Sequence, residues 1–137
     1  MIVFDTNVGS ELMKAEPDES VVRWYDAQRS KGLCTTAVTV AEIRYGIELL
    51  PSGRRKALMA AVADEVFAEY ADTILSFDAS AAALYPQVVI GRRRSGLPIG
   101  QSDAQIAAIC RAVDATLVTR NTKDFLETGV PLVNPWE

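Results

Sequence analysis

The chain contains no histidine. That absence removes the Ser-His-Asp triad, the Cys-His pair, an imidazole general base and every histidine-rich zinc site. Any catalysis must therefore rest on carboxylates. Cysteine is nearly as scarce: Cys34 and Cys110 are far apart and form no CxxC pattern, which reads as two small buried hydrophobes in a reducing cytoplasm rather than a disulfide or a zinc site. No basic segment leads into an apolar run at the N-terminus, and no stretch approaches the roughly 18 consecutive apolar residues of a membrane helix. A cytoplasmic protein with no membrane partner is expected. The net charge of −4 excludes a polyanion-binding surface spread over the whole molecule, because such binding is driven by phosphate neutralisation. Local basic islands remain, one at Arg54, Arg55 and Lys56, the other at Arg92, Arg93 and Arg94.

Repeats, low-complexity tracts and Gly/Ser linkers are missing as well, so residues 1–137 are expected to form one domain. Hydrophobic residues at 49% and charged residues at 23% are the composition of a folded globular chain rather than a disordered one. "MIVF" reads as a first buried strand, "GLCTT" as a second, "TILSF" as a third, "ATLVT" as a fourth and "PLVN" as a fifth. Between them, "DESVVRWYDAQRS", "TVAEIRYGIELL", "RRKALMAAVADEVFAEYA", "DASAAALYPQVVIGRRRSG" and "SDAQIAAICRAV" have helical spacing. Asp78 is placed to cap the fourth of these helices and Pro86 to kink it. This alternation predicts an α/β fold: a parallel five-stranded sheet covered by helices on both faces, with right-handed crossovers.

In such a sheet the carboxyl ends of the strands gather at one edge, where ligands bind. Asp5 follows strand one directly, and Glu42 falls in the first turn of the helix after strand two. Asp103 opens the helix that runs back before strand four, and Arg120, Asn121 and Asp124 follow that strand. Positions far apart in sequence thus converge on one edge. Each acid also has a plainer explanation. Thr39 to Glu42 and Ser102 to Gln105 have capping-box spacing, and Asp103 at the first helical position suits the helix dipole. Asp5 is harder to dismiss, because a carboxylate directly after a buried strand gains nothing from helix geometry, leaving a surface or N-cap role as its alternative. Jointly, three carboxylates at one edge repel one another unless a cation neutralises them. All-oxygen ligands select Mg²⁺ or Mn²⁺, and a metal-activated water is then the nucleophile a histidine-free site can supply.

"FDTNV", "TVAEIRYGI", "LPSGRRKAL", "PIGQSDAQIAA", "LVTRNTKDF" and the closing "VNPWE" together resemble the PIN-domain family, specifically its VapC and FitB-like toxins, from the first residue to the last. The resemblance implies a three-layer α/β/α sandwich and an endoribonuclease that depends on Mg²⁺ or Mn²⁺. It also implies a homodimer, acting as the toxin of a bacterial pair and inhibited by an antitoxin whose N-terminal part binds DNA. Carried over by position, Asp5, Glu42 and Asp103 match the family's first three acids, with Asp5 and Asp103 as metal ligands and Asn121 completing the catalytic set. Many members carry a fourth aspartate where this chain has the neutral Asn121, and Asp124 lies close by, so one tightly held ion is expected. Gly9 replaces a bulkier apolar residue and is expected to loosen a loop there.

Two other classes are weighed. A catalytically weak PIN-like module would bind RNA or protein without cleaving, against which three intact acids speak. A phosphotransfer domain also ends strands on aspartates, but its phosphatase form wants a second aspartate where this chain has Asn7. Arg92 to Arg94 read either as a solvated helix face or as a lining that holds RNA phosphates. Trp24, Tyr25 and Tyr45 read as core or dimer contacts rather than base-stacking residues.

Overall fold

A computed structural model describes residues 1–137. Five strands, β1 (Ile2–Phe4), β2 (Leu33–Thr36), β3 (Ile74–Leu75), β4 (Thr116–Val118) and β5 (Leu132–Val133), form one sheet in the order β3-β2-β1-β4-β5. Every neighbouring pair is parallel. Six helices flank it: α1 (Thr6–Leu12), α2 (Glu19–Gln28), α3 (Ala37–Glu48), α4 (Arg54–Glu69), α5 (Ala79–Arg94) and α6 (Gln101–Ala112). This is the parallel, helix-covered sheet expected from the alternating pattern.

The period-two geometry of strands decides which helix covers which face. Val3, Cys34 and Leu117 point to one side and pack with Val88 of α5 and with Ala104, Ala107 and Cys110 of α6. Phe4, Leu33 and Val118, one residue on or back, point to the other side and pack with Val8 of α1, Val21 of α2 and Tyr70 after α4. Trp24 and Tyr25 pack against this second layer. Tyr45 does not join a core, being 67% exposed. A third cluster, Met13, Ile43, Ile47, Ala63 and Phe67, joins α3 to α4. Both cysteines are buried and unpaired, and burial pushes the Cys110 thiol up to about 12. Neither is set up for redox chemistry.

Two local features differ from expectation and bear on the site. Strand β1 passes into α1 with no loop between them: Asp5, still extended and donating its amide to Val118 O at 3.1 Å, is the helix N-cap, its carboxylate accepting from Val8 N at 3.2 Å. Gly9 is accordingly not in a loop. It is buried in α1, where an added Cβ would come within 2.8 Å of Ile43 Cδ1 and 3.4 Å of Phe4, so the missing side chain lets α1 lie against α3. As expected, Asp78 caps α5 by accepting from Ala81 N, and that helix runs through Pro86 to Arg94.

Candidate active site

The edge where β1, β2 and β4 end is built by short-range connections that leave little play. Thr35 Oγ1 donates to Phe4 O at 3.0 Å, tying β2 to the last residue of β1. Thr36, the last residue of β2, is also the N-cap of α3 and accepts from Thr39 N at 3.0 Å. Glu42 therefore lies in the second turn of α3. The Thr39-to-Glu42 capping box does not form, because the helix starts one turn earlier than that spacing implied. The Glu42 carboxylate instead accepts from the hydroxyl of Thr6, the first residue of α1, at 2.6 Å.

Asp103 is likewise displaced from its expected place. Helix α6 is capped by Gly100, without a side-chain hydrogen bond, so Asp103 is the third helical residue and Ser102 caps nothing. It remains in the first turn, where a negative charge is favoured by the helix dipole.

The electrostatics of the two aspartates are alike. Asp5 is 3% exposed, and burial raises its carboxyl to about 6. The Thr119 hydroxyl and the Val8 and Asn7 amides pull it down, while the charge of Asp103 pushes it up. Asp103 is also raised to about 6, first by burial and then by the charges of Glu42 and Asp124, with Arg92 acting in the opposite direction. The carboxylates thus feel one another across the edge. None of Asp5, Glu42, Asp103 and Asp124 takes part in any of the four ion pairs of the chain. A cluster of one buried and three half-buried carboxylates whose mutual repulsion is left uncompensated by ion pairing suits a hard cation, as do its all-oxygen donors. No three such side chains are drawn close enough to grip one ion together: Glu42 is turned to Thr6, and Asp5 to Val8 and Thr119. The set fits a divalent ion in charge and donor type, while its side chains rest on protein donors.

The end of β4 supplies the remainder. Thr119 accepts from Asn121 N at 3.0 Å, and residues Thr122–Phe125 form a 3-10 turn, with Asp124 N donating to Asn121 O at 3.0 Å. Asn121 is exposed, whereas Asp124 is half-buried and its charge reaches Asp103.

Sequence reasoning singled out neither Thr6 nor Thr119. Both hydroxyls sit beside the acids in sequence or at the end of a strand, in "DT" and "TRN", and that adjacency was the available signal. A cleft of about 200 Å³ opens beside Glu42 between α1, α3 and α4, lined by Thr6, Ser10, Glu42, Ile47, Arg55 and Met59 among others. Of the first basic island, Arg55 faces this cleft, and Lys56 is tied to Glu48. The second island divides: Arg93 and Arg94 are exposed, but Arg92 is buried, which excludes it from a solvated face.

The PIN domain family matches residues 2–130. The VapC ribonuclease Y4jK of Sinorhizobium fredii is 41% identical over 138 aligned residues, covering 100% of this chain and 99% of that protein. Among solved structures, FitAcB from Neisseria gonorrhoeae superposes with a TM-score of 0.92 at 36% identity, covering 100% of this chain and 99% of that one. VapBC2 from Rickettsia felis, bound to a DNA fragment from its promoter, superposes with a TM-score of 0.84 at 25% identity over 98% of both chains.

Proposed function

This chain belongs to the PIN-domain family of VapC and FitB ribonucleases, and from that premise we propose that it is a divalent-metal-dependent endoribonuclease whose working site is the edge carrying Asp5, Glu42 and Asp103. The observation that carries the reading is the pair of aspartates, Asp5 buried and Asp103 half-buried, both raised to about 6 and neither ion-paired, with the charges of Glu42 and Asp124 acting on Asp103. Strongly perturbed carboxylates at the carboxyl edge of a parallel sheet are where catalysis is sought first. Asp5 and Asp103 are the residues that would hold Mg²⁺ or Mn²⁺. Such an ion supplies a water of lowered pKa, towards ~7, and charge to offset the phosphodiester's developing negative charge.

The chain's own contribution is positioning. The Val8 amide and the Thr119 hydroxyl fix Asp5, α6 fixes Asp103, and the Thr6 hydroxyl holds Glu42 at the mouth of the cleft. From that mouth Glu42 is placed to accept a proton from an attacking water, and Arg55 to meet a backbone phosphate of the RNA. Asn121 completes the set as a neutral oxygen donor at the exposed rim.

The same reading makes the chain the toxin of a bacterial toxin-antitoxin pair acting in the cytoplasm. Its partners are then a second copy of itself and an antitoxin whose N-terminal part binds DNA, in keeping with a similar VapBC2 solved bound to a DNA fragment from its promoter. Tyr45 of α3, Leu49 just after it and Leu58 of α4 are exposed apolar residues available to such partners. The test is to incubate the purified chain with total RNA and map the ends. Discrete new ends that need a divalent ion and are absent with Asp103→Asn support the reading; intact RNA under every ion condition contradicts it.

A further inference from the structure

Arg92 is 4% exposed and carries its charge into the protein without a contacting carboxylate. Backbone carbonyls receive it instead. Nη1 donates to Leu126 O at 2.9 Å and Lys123 O at 3.3 Å, and Nη2 donates to Pro98 O at 3.4 Å. Its own carbonyl accepts from Leu97 N at 2.9 Å. These partners lie in two segments: the turn after Asn121, which carries Asp124, and the stretch of chain that leads into α6 and Asp103. Nε is buried with no partner at all. A buried charge is costly to keep, and an orphaned donor adds to that cost. A fold that only needed to fill this space would do better with an apolar residue. The guanidinium is, however, the one side chain whose planar fork can reach three carbonyls from two directions, and its charge acts on Asp103.

We propose that Arg92 is the positioning residue of the acidic edge: it fastens the Asn121–Asp124 turn to the segment that opens α6, and it stations a permanent cation beside the carboxylates without occupying any carboxylate oxygen. A salt bridge to Asp103 or Asp124 would supply the same charge but would withdraw that oxygen from metal or substrate. Seating on carbonyls avoids this. The inference rests on reading this edge as the nuclease site. It assigns Arg92 no contact with RNA, in contrast to the phosphate-holding role open to Arg93 and Arg94.

The test compares the full-length wild-type chain with Arg92→Lys and Arg92→Met. Lysine keeps the charge but has a single nitrogen that cannot span the three carbonyls; methionine fills the space with neither charge nor fork. Amide hydrogen exchange on metal-free protein is read for residues 121–126 and, as an internal control, for β1 and β4. RNA cleavage is read as separate kcat and KM values. In both variants exchange at 121–126 should rise by about tenfold or more while β1 and β4 keep wild-type rates. Outer-shell partners of this kind typically carry about 10- to 100-fold in activity, so kcat should fall by that factor, more for methionine than for lysine, with KM for RNA nearly constant. Wild-type exchange at 121–126 in Arg92→Lys, or a loss expressed in KM with kcat unchanged, overturns the proposal. If the wild-type chain leaves RNA intact, the nuclease reading fails, and the exchange data still decide whether Arg92 holds the two segments together. If Arg92→Met does not fold, Arg92→Lys carries the comparison.

Discussion

Replacing Asp5 by asparagine should make the metal-free protein more stable at neutral pH while destroying its activity. The Asp5 carboxyl is raised from 3.8 to about 6, chiefly by burial. At about 1.4 kcal/mol per pKa unit, the ionised carboxylate costs the native state roughly 3 kcal/mol at pH 7.5. Asparagine removes that cost and still caps α1, since its side-chain oxygen can accept from Val8 N and from Thr119. Its amide group brings new donors into a buried position, and one left unpaired costs roughly 1–3 kcal/mol. The balance is a gain of up to about 2 kcal/mol, which for a domain of this size moves the melting temperature up by at most roughly 7 °C. The sign with pH follows from the raised pKa. Well below 3.8 the wild-type carboxyl is neutral in both folded and unfolded states and carries no penalty. As pH rises through 6 the unfolded state binds fewer protons than the native one and wild-type stability falls. Thermal melts in EDTA at pH 7.5 and pH 4.5 should therefore show the advantage of Asp5→Asn at the higher pH and its disappearance at the lower. A variant less stable than wild type at pH 7.5, or an equal advantage at both pH values, would refute the argument from burial.

Glu42→Gln keeps an oxygen for the Thr6 hydroxyl but loses the charge, so melting should stay within about 2 °C of wild type while RNA cleavage falls by at least about 100-fold; preserved turnover would remove Glu42 from the site. Gly9→Ala drives a methyl group to within 2.8 Å of Ile43. The contact is with the tip of a flexible side chain and alanine is favoured over glycine in a helix by roughly 0.5–1 kcal/mol, so stability by urea unfolding should stay within about 1 kcal/mol of wild type; a loss above about 2 kcal/mol would show that Ile43 cannot give way. At the fourth ligand position, Asn121→Asp should lower the Mg²⁺ concentration for half-maximal cleavage, and Asp124→Asn should weaken activity only modestly. Two strong sites by calorimetry in the wild type, cut to one by Asp124→Asn, would contradict the expectation of one tightly held ion.

The strands and five of the six helices were legible because their apolar residues recur at periods of 2 or 3.6 and glycine or proline marks their ends. Helix α1 was not. It has seven residues, and Gly9 in its middle reads as a breaker, although it sits inside the helix against the Ile43 side chain of α3. The capping boxes at Thr39 and Ser102 failed for a related reason. Thr36, the last residue of β2, caps α3, and Gly100 caps α6, so each helix starts earlier than its polar residues suggest. Local spacing also could not separate Arg92 from Arg93 and Arg94. Which residue of such a run faces inward is set by where α5 lies against the 122–126 turn, a tertiary fact. The acids themselves were legible through topology, since a parallel sheet brings the residues after its strands to one edge.

The central claim is that Asp5 and Asp103 act together by holding a divalent ion that RNA cleavage requires. Single-turnover cleavage of one defined RNA, followed as Mn²⁺ is titrated into wild type, Asp5→Asn and Asp103→Asn, tests it most directly, with Mn²⁺ binding measured by calorimetry on the same preparations. Wild-type cleavage should rise with Mn²⁺ occupancy and be abolished by EDTA, and both variants should lose strong Mn²⁺ binding and cleavage together while remaining folded. Cleavage that survives EDTA in the wild type, or Mn²⁺ binding that is unchanged in both variants, would contradict it.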